Sequence, residues 1–117
     1  MALFKSGENR EKHLQQIQEF LFEGEQIERT YGLVNSQFIG LTNKRLIFVG
    51  KIPLTKQMQV ISIPYSKIEE IGFEITSAFS LTNKINVITK SGKHELEFDK
   101  LANVKEFYTI LSRHVCA

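Results

Sequence analysis

The chain has 117 residues, of which 42% are hydrophobic and 24% are charged, and its formal net charge at pH 7 is +2. This length suits one domain with a single core and is too short for two, and the composition excludes a disordered or fibrous chain. The small net charge argues against nucleic acid as a partner, because nucleic-acid binders usually carry a concentrated basic face.

The sequence predicts a cytoplasmic protein, with the inner face of the membrane as a place for peripheral binding. No apolar run approaches the roughly 18 residues that span a bilayer, and the N-terminus lacks the apolar segment of a signal peptide. A single cysteine, Cys116, excludes a disulfide within the chain.

The first predicted element is a helix over residues 8–22, with Ser6 as its N-cap and Gly24 after its end. Its apolar residues recur at i, i+3 and i+7: Leu14, Ile17 and Leu21. The helix therefore has one apolar side.

From Gln26 the pattern changes to short apolar runs separated by turn residues, which is typical of antiparallel strands. Turns are expected at Asn35-Ser36, at Thr42 to Lys44, where Asn43 tolerates a left-handed conformation, at Pro64 to Ser66 and at Ser91-Gly92. The seven predicted strands span residues 26–34, 37–41, 45–49, 57–63, 67–75, 84–90 and 94–98. A second copy of the Leu-Thr-Asn-Lys sequence that forms the turn from Leu41 spans Leu81 to Lys84, where the longer connection at 76–83 meets the sixth strand, and it is also expected to be a turn.

A second helix is predicted over residues 100–114, capped by Asp99. The residues that share its apolar face are Leu101, Val104, Phe107 or Tyr108, Leu111 and Val115. Seven strands in one flat sheet would expose their edges, so a bent sheet or partly open barrel closed by this helix is expected. The fold class is mainly β with flanking helices (α+β).

Three segments carry a resemblance to a known family. The run from Gly40 to Val49 (GLTNKRLIFV), the run from Ile63 to Ile71 (IPYSKIEEI) and the hairpin from Ile85 to Phe98 resemble the bacterial pleckstrin-homology-like (PH-like) domains and the related GRAM domains. The resemblance divides the chain into an N-terminal helical extension, residues 1–22, and a PH-like domain, residues 23–117.

The resemblance implies a seven-stranded bent sheet capped by a C-terminal helix and used as a lipid-, peptide- or self-association module without catalytic activity. The sequence departs from the phosphoinositide-binding pattern of that family, which places several basic residues around the first hairpin. The corresponding turn, Val34-Asn-Ser-Gln37, has none. A phosphoinositide head-group site of the usual kind is therefore not expected.

The sequence contains no residue pattern that is typical of catalysis, cofactor binding or metal binding. The three histidines, His13, His94 and His114, fall in different elements without the short spacings of zinc sites. The segment from Lys90 to Lys93 has the spacing of a hairpin turn and not that of a phosphate-binding loop. The sequence predicts no enzyme, no catalytic, cofactor-binding or metal-binding residue, and no cofactor.

One candidate surface is a basic rim. If strand order follows the chain, three connections emerge at the same end of the sheet and bring lysines together around an apolar loop. The predicted rim for ligand or anionic membrane consists of Lys51, Ile52, Leu54, Lys56, Lys90 and Lys93. Four lysines contribute roughly 4 kcal/mol at an anionic surface, which is only a millimolar affinity. The alternative is that the lysines simply keep the loop tips soluble.

A second candidate surface is the outer face of the sheet. The third strand, Leu46 to Val49, is apolar on both faces, whereas a strand with one wet face should alternate. The leading helix, a second subunit or both are expected to cover this face. The candidate interface residues are Phe38, Ile47 and Val49.

The first functional hypothesis is an interaction module that acts through self-association or a protein partner. The second is peripheral binding to anionic membrane through the rim. Arg45, at the start of the third strand, is expected either to pair with an acid or to meet a ligand.

Overall fold

The computed structural model describes residues 11–78, 81–100 and 102–117, with the side chain of Leu81 left out. These residues form two α-helices, seven strands and one 3₁₀ turn at Tyr65–Lys67. The elements are α1 (Glu11–Gln18), β1 (Ile27–Gly32), β2 (Phe38–Thr42), β3 (Arg45–Lys51), β4 (Met58–Pro64), β5 (Glu70–Ile75), β6 (Leu81–Thr89), β7 (Gly92–Glu97) and α2 (Val104–Val115).

The strands form two antiparallel sheets, one in the order β1-β2-β3-β4 and the other in the order β5-β6-β7. The sheets meet at one corner, where Leu33 bridges Phe98 and the Val34 N–H donates to the Glu97 carbonyl at 2.9 Å. At the opposite corner, β4 is the edge strand of the four-stranded sheet and β5 is the edge strand of the three-stranded sheet. The predicted fold class is confirmed.

The core lies between the inner faces of the two sheets and α2. Tyr31, Phe98 and Phe107 are fully buried and pack with their ring centroids 4.9 to 6.1 Å apart. The Tyr31 hydroxyl donates to Glu106 on α2 at 2.6 Å. The predicted apolar side of the last helix is therefore the side that closes the core.

Helix α1 packs on the outer face of the four-stranded sheet. Its Ile17 is fully buried in a small cluster with Phe38 and Ile47. A Cβ atom on Gly40 would lie 2.2 Å from Ile17 Cδ1, so the glycine is what allows α1 to approach the strand. The His13 ring stacks on Phe38 with centroids 4.1 Å apart. The leading helix thus covers part of the outer face within the chain.

The predicted starts of α2 and β6 were wrong. The N-cap of α2 is Asn103, whose Oδ1 accepts from the Glu106 N–H at 3.0 Å. Asp99 cannot serve there because its N–H donates to the Gly32 carbonyl and it still belongs to the corner between the sheets. The segment from Leu81 to Lys84 is not a turn but the start of β6, since Asn83 bonds to Phe98 through both backbone and side chain.

The first hairpin turn was predicted correctly, because Asn35 and Ser36 both have positive φ, 62° and 63°, as a type I′ turn requires. The turn at Thr42 to Lys44 lies between β2 and β3 as predicted, but Asn43 does not use the left-handed conformation that asparagine tolerates. Its side chain instead accepts from the Gln26 N–H and donates to the Gly24 carbonyl. Helix α1 ends at Gln18, four residues before the predicted end. Ser6, Leu101 and residues 79–80 lie outside the described residues.

Candidate interaction surfaces

The loop between β3 and β4 presents a single leucine to solvent. Within it the Thr55 N–H and hydroxyl both donate to the Ile52 carbonyl, at 3.2 and 2.9 Å, and the Ile52 N–H donates to Gln57. Leu54 at the tip is fully exposed and has φ of 67°. Positive φ is unfavourable for a bulky residue, so the loop holds Leu54 outward at a cost in backbone strain.

The predicted rim is divided between two places. Lys51 pairs with Met58 at one end of β4, and Lys56 lies in the loop beyond it. Lys90 instead lines a cleft beside Ile61 to Pro64, the other half of the same strand. The two ends of β4 are about 20 Å apart at roughly 3.3 Å per residue. Lys51, Ile52, Leu54 and Lys56 therefore share one loop, whereas Lys90 and Lys93 belong to the β6–β7 hairpin.

A groove of about 630 Å³ runs between α1 and β4 on the outer face; we call it the outer-face groove. Its apolar lining includes Phe20, Phe38, Val49, Met58 and Val60. Of these, Phe20, Met58 and Val60 remain 47%, 43% and 40% exposed. Two of the three predicted interface residues, Phe38 and Val49, line the groove, and Ile47 is buried with Ile17.

The segment between α1 and β1 is fastened to the sheet by an ion pair. The Arg45 guanidinium donates to both Glu25 carboxylate oxygens, at 2.8 and 2.9 Å, and also to the Phe20 carbonyl at 2.7 Å. Thr42 donates to the same carboxylate at 2.7 Å, and the Phe22 N–H does so at 3.2 Å. Of the two alternatives expected for Arg45, the structure shows the pairing with an acid.

The side chain of Glu25 is completely buried, and that of Arg45 is 18% exposed. Burial alone would raise the pKa of the Glu25 carboxyl, but the hydrogen bonds from Arg45, Thr42 and Phe22 and the charge of Arg45 together lower it below its ordinary value. The carboxylate is thus held ionised. Sequence reasoning missed Glu25, because a lone glutamate after a glycine carries no periodic signal and its partner lies 20 residues away.

In the part of the chain that the structure describes, no group of three or more His, Cys, Asp or Glu side chains could hold a metal ion. Within the same described residues, no helix is long and apolar enough to span a membrane.

The arrangement of two antiparallel sheets, joined at one corner and closed by a C-terminal helix, defines a PH-like fold. The family model described as Bacterial PH domain matches residues 2–115, and the chain belongs to this family.

A relative with 31% identity over 109 residues is Uncharacterized protein YozO of Bacillus subtilis (strain 168); the alignment covers 93% of this chain and 95% of that protein. Two solved structures share the fold. The pleckstrin homology domain from Shewanella amazonensis SB2B has a TM-score of 0.74 and 19% identity and covers 91% of this chain and 97% of its own. A DUF1696 family protein with a pleckstrin-homology domain from Shewanella loihica PV-4 has a TM-score of 0.72 and 20% identity, with 95% and 99% covered.

Proposed function

We propose that this chain is a non-enzymatic interaction module that associates with further copies of itself through the outer-face groove. The observation that carries the proposal is the set of three large apolar side chains, Phe20, Met58 and Val60, that stay exposed around one groove. Single exposed apolar residues are ordinary, but a contiguous patch marks an interaction surface.

The helix side of the groove is self-complementary in charge, which favours a second copy as its occupant. Lys12 lies in the first turn of α1 and Glu19 directly after its last residue, seven residues apart, and both line the groove. Two copies that meet with their helices antiparallel would bring each Lys12 near the Glu19 of the other copy. The same surface then serves both partners, as an isologous contact requires.

The expected association is weak. Fully burying one large apolar side chain contributes about 1.5–3 kcal/mol, and each of these three is already more than half buried, so each adds about 1 kcal/mol. Two copies together contribute roughly 6 kcal/mol before the cost of association is subtracted, so the complex should form only at high protein concentration. Dilution should therefore dissociate the complex.

Changing Val60 to lysine is expected to reduce the solution mass to that of one chain, because it places a charge in the apolar lining of the outer-face groove. The measurement is light scattering over a concentration series. Ile75→Lys is the matched control, since Ile75 is equally apolar and 47% exposed but lies on the second sheet. A wild-type protein that is monomeric at every concentration, or a control that dissociates equally, would contradict self-association through this groove.

A second candidate function is binding to anionic membrane through the β3–β4 loop. Leu54, fully exposed with positive φ between Lys51 and Lys56, favours it, because an apolar tip flanked by lysines suits the boundary between head groups and acyl chains. With two lysines in this loop the charge contributes only about 2 kcal/mol. Several copies in one assembly would be needed for firm binding.

Under this second function, Leu54→Ser should weaken sedimentation with vesicles that contain phosphatidylserine by several-fold, because the seryl side chain gains nothing from leaving water. Lys51→Gln combined with Lys56→Gln should do the same. The control is Lys90→Gln combined with Lys93→Gln, which removes equal charge from the β6–β7 hairpin. Equal losses in both double variants would indicate attraction by overall charge and would contradict a loop-specific contact.

A further inference from the structure

A cleft at the open corner of the molecule is separate from the outer-face groove. It has a volume of about 500 Å³ and lies between the second half of β4, the 3₁₀ turn and the β6–β7 turn. Within the described residues β4 pairs with β3 alone and β5 with β6 alone, so the two sheets diverge at this corner. Ile61, Ile63 and Pro64 supply its apolar wall. The volume is that of an ordinary small-molecule site.

Two of the residues that line the cleft are lysines that form no ion pair within the described residues. Lys67 comes from the 3₁₀ turn and Lys90 from the β6–β7 turn, and both line the same space. Among the described residues neither lysine has a carboxylate within ion-pair distance, whereas Lys93 pairs with Glu95 at 3.6 Å. Two ammonium groups that face one cleft repel each other, and an anion between them would stabilise both.

Hydroxyl groups in the cleft can add hydrogen bonds. The hydroxyls of Thr89 and Ser91 are 3.0 Å apart, and when Thr89 is the donor the Ser91 proton is available to another acceptor. Ser66 also lines the cleft. Ammonium and hydroxyl donors thus converge on one volume.

The 3₁₀ turn that carries Ser66 and Lys67 is firmly anchored. The buried Tyr65 donates its hydroxyl to the Thr42 carbonyl at 2.6 Å, and its ring stacks on His114 with centroids 4.2 Å apart. Burial raises the pKa of the Tyr65 hydroxyl, so it stays a neutral donor. Ser66 and Lys67 are therefore presented to the cleft by a fixed turn, which reduces the entropy lost on binding.

We propose that this cleft binds a small molecule that carries a single phosphate monoester. The three terminal oxygens of a phosphate can accept from both ammonium groups and from the hydroxyls, and the carbon portion can pack on Ile61 and Pro64. Glu69 also lines the cleft, so the two lysines and this glutamate sum to one positive charge. That small positive sum disfavours a polyphosphate, which carries more negative charge. The Glu69 carboxylate is placed to accept from a hydroxyl of the ligand.

The test uses glycerol phosphate and inorganic phosphate as probes, with amide NMR shifts of the whole chain as the readout. We expect shifts concentrated at Ser66, Lys67, Lys90 and Ser91. Lys67→Gln combined with Lys90→Gln should weaken binding about tenfold or more, because each charge-assisted hydrogen bond contributes more than a neutral one. The matched control, Lys51→Gln combined with Lys56→Gln, loses equal charge and should bind within about twofold of wild type, since its lysines lie outside the cleft.

Vesicles of phosphatidylcholine with and without phosphatidic acid distinguish a lipid head group from a free metabolite. Binding to phosphatidic acid vesicles that is lost in the Lys67 and Lys90 double variant supports the same site with lipid as the source. No binding of either probe or vesicle, or shifts spread over all lysine-bearing loops, would overturn the proposal. The solution mass of the double variant should equal that of wild type, so a failure of phosphate binding is separable from a failure of self-association.

Discussion

Replacing Glu25 by alanine is expected to lower the free energy of unfolding by about 3–5 kcal/mol, which makes it one of the most damaging single changes in the chain. The change removes a fully buried carboxylate and leaves Arg45, only 18% exposed, without its counter-charge. It also frees the Thr42 hydroxyl and the Phe22 N–H from their acceptor. Urea unfolding followed by circular dichroism measures the loss.

A double variant separates the cost of an orphaned charge from the contribution of the pair. With Arg45→Met added to Glu25→Ala no charge remains buried, and we expect part of the lost stability to return. A double variant less stable than Glu25→Ala alone would show that the orphaned guanidinium does not cause the loss.

The same carboxylate makes stability depend on pH in a defined direction. Since the folded protein lowers the pKa of Glu25, the unfolded chain binds more protons in the interval between the lowered value and the ordinary value of 4.5. The contribution is therefore complete above the ordinary value and is lost as pH falls through the lowered one. In Glu25→Gln this part of the pH dependence should be missing from the unfolding free energy.

Replacing Ile17 by aspartate is expected to release α1 from the sheet. Ile17 is fully buried against Phe38 and Ile47, and truncating such a side chain already costs about 2–5 kcal/mol, while a buried unpaired charge costs more. Because the helix can leave the sheet, the decrease in the free energy of unfolding cannot exceed the free energy that packing of α1 on the sheet contributes. Limited trypsin digestion should then cut faster after Lys12.

The matched control for this variant is Gln15→Asp, which places the same charge on the exposed side of α1 and should change stability by less than about 0.5 kcal/mol. Release of α1 should also uncover Phe38 and Ile47 and raise binding of a hydrophobic dye. Unchanged digestion and dye binding in Ile17→Asp would mean that α1 is not what covers the outer face.

The sequence predicts the elements of this fold because their signals are local. The Asn35-Ser36 turn has residues that tolerate positive φ, and the spacing of Phe107 and Leu111 marks the buried side of α2. End positions were less certain, because Asp99 and Asn103 are both good caps and only the corner between the sheets decides which one is used.

The interaction surfaces were less accessible to sequence reasoning. Leu54 was placed in an exposed loop, but its positive φ depends on the hydrogen bonds of the Ile52–Thr55 turn. The cleft combines Lys67 with Lys90, which are distant in the chain and meet because the 3₁₀ turn and the β6–β7 turn adjoin the same half of β4. Contacts between such distant segments leave no periodic pattern in a single sequence.

The position of α2 has a consequence for the newly made chain. The helix follows all seven described strands, yet its Phe107 and Glu106 complete the surroundings of Tyr31 on the first strand. During synthesis the apolar inner face of the first sheet must therefore leave the ribosome well before the helix that covers it. In that interval the uncovered apolar face is a surface at which aggregation can start, and burial of Tyr31 is complete only once α2 has emerged.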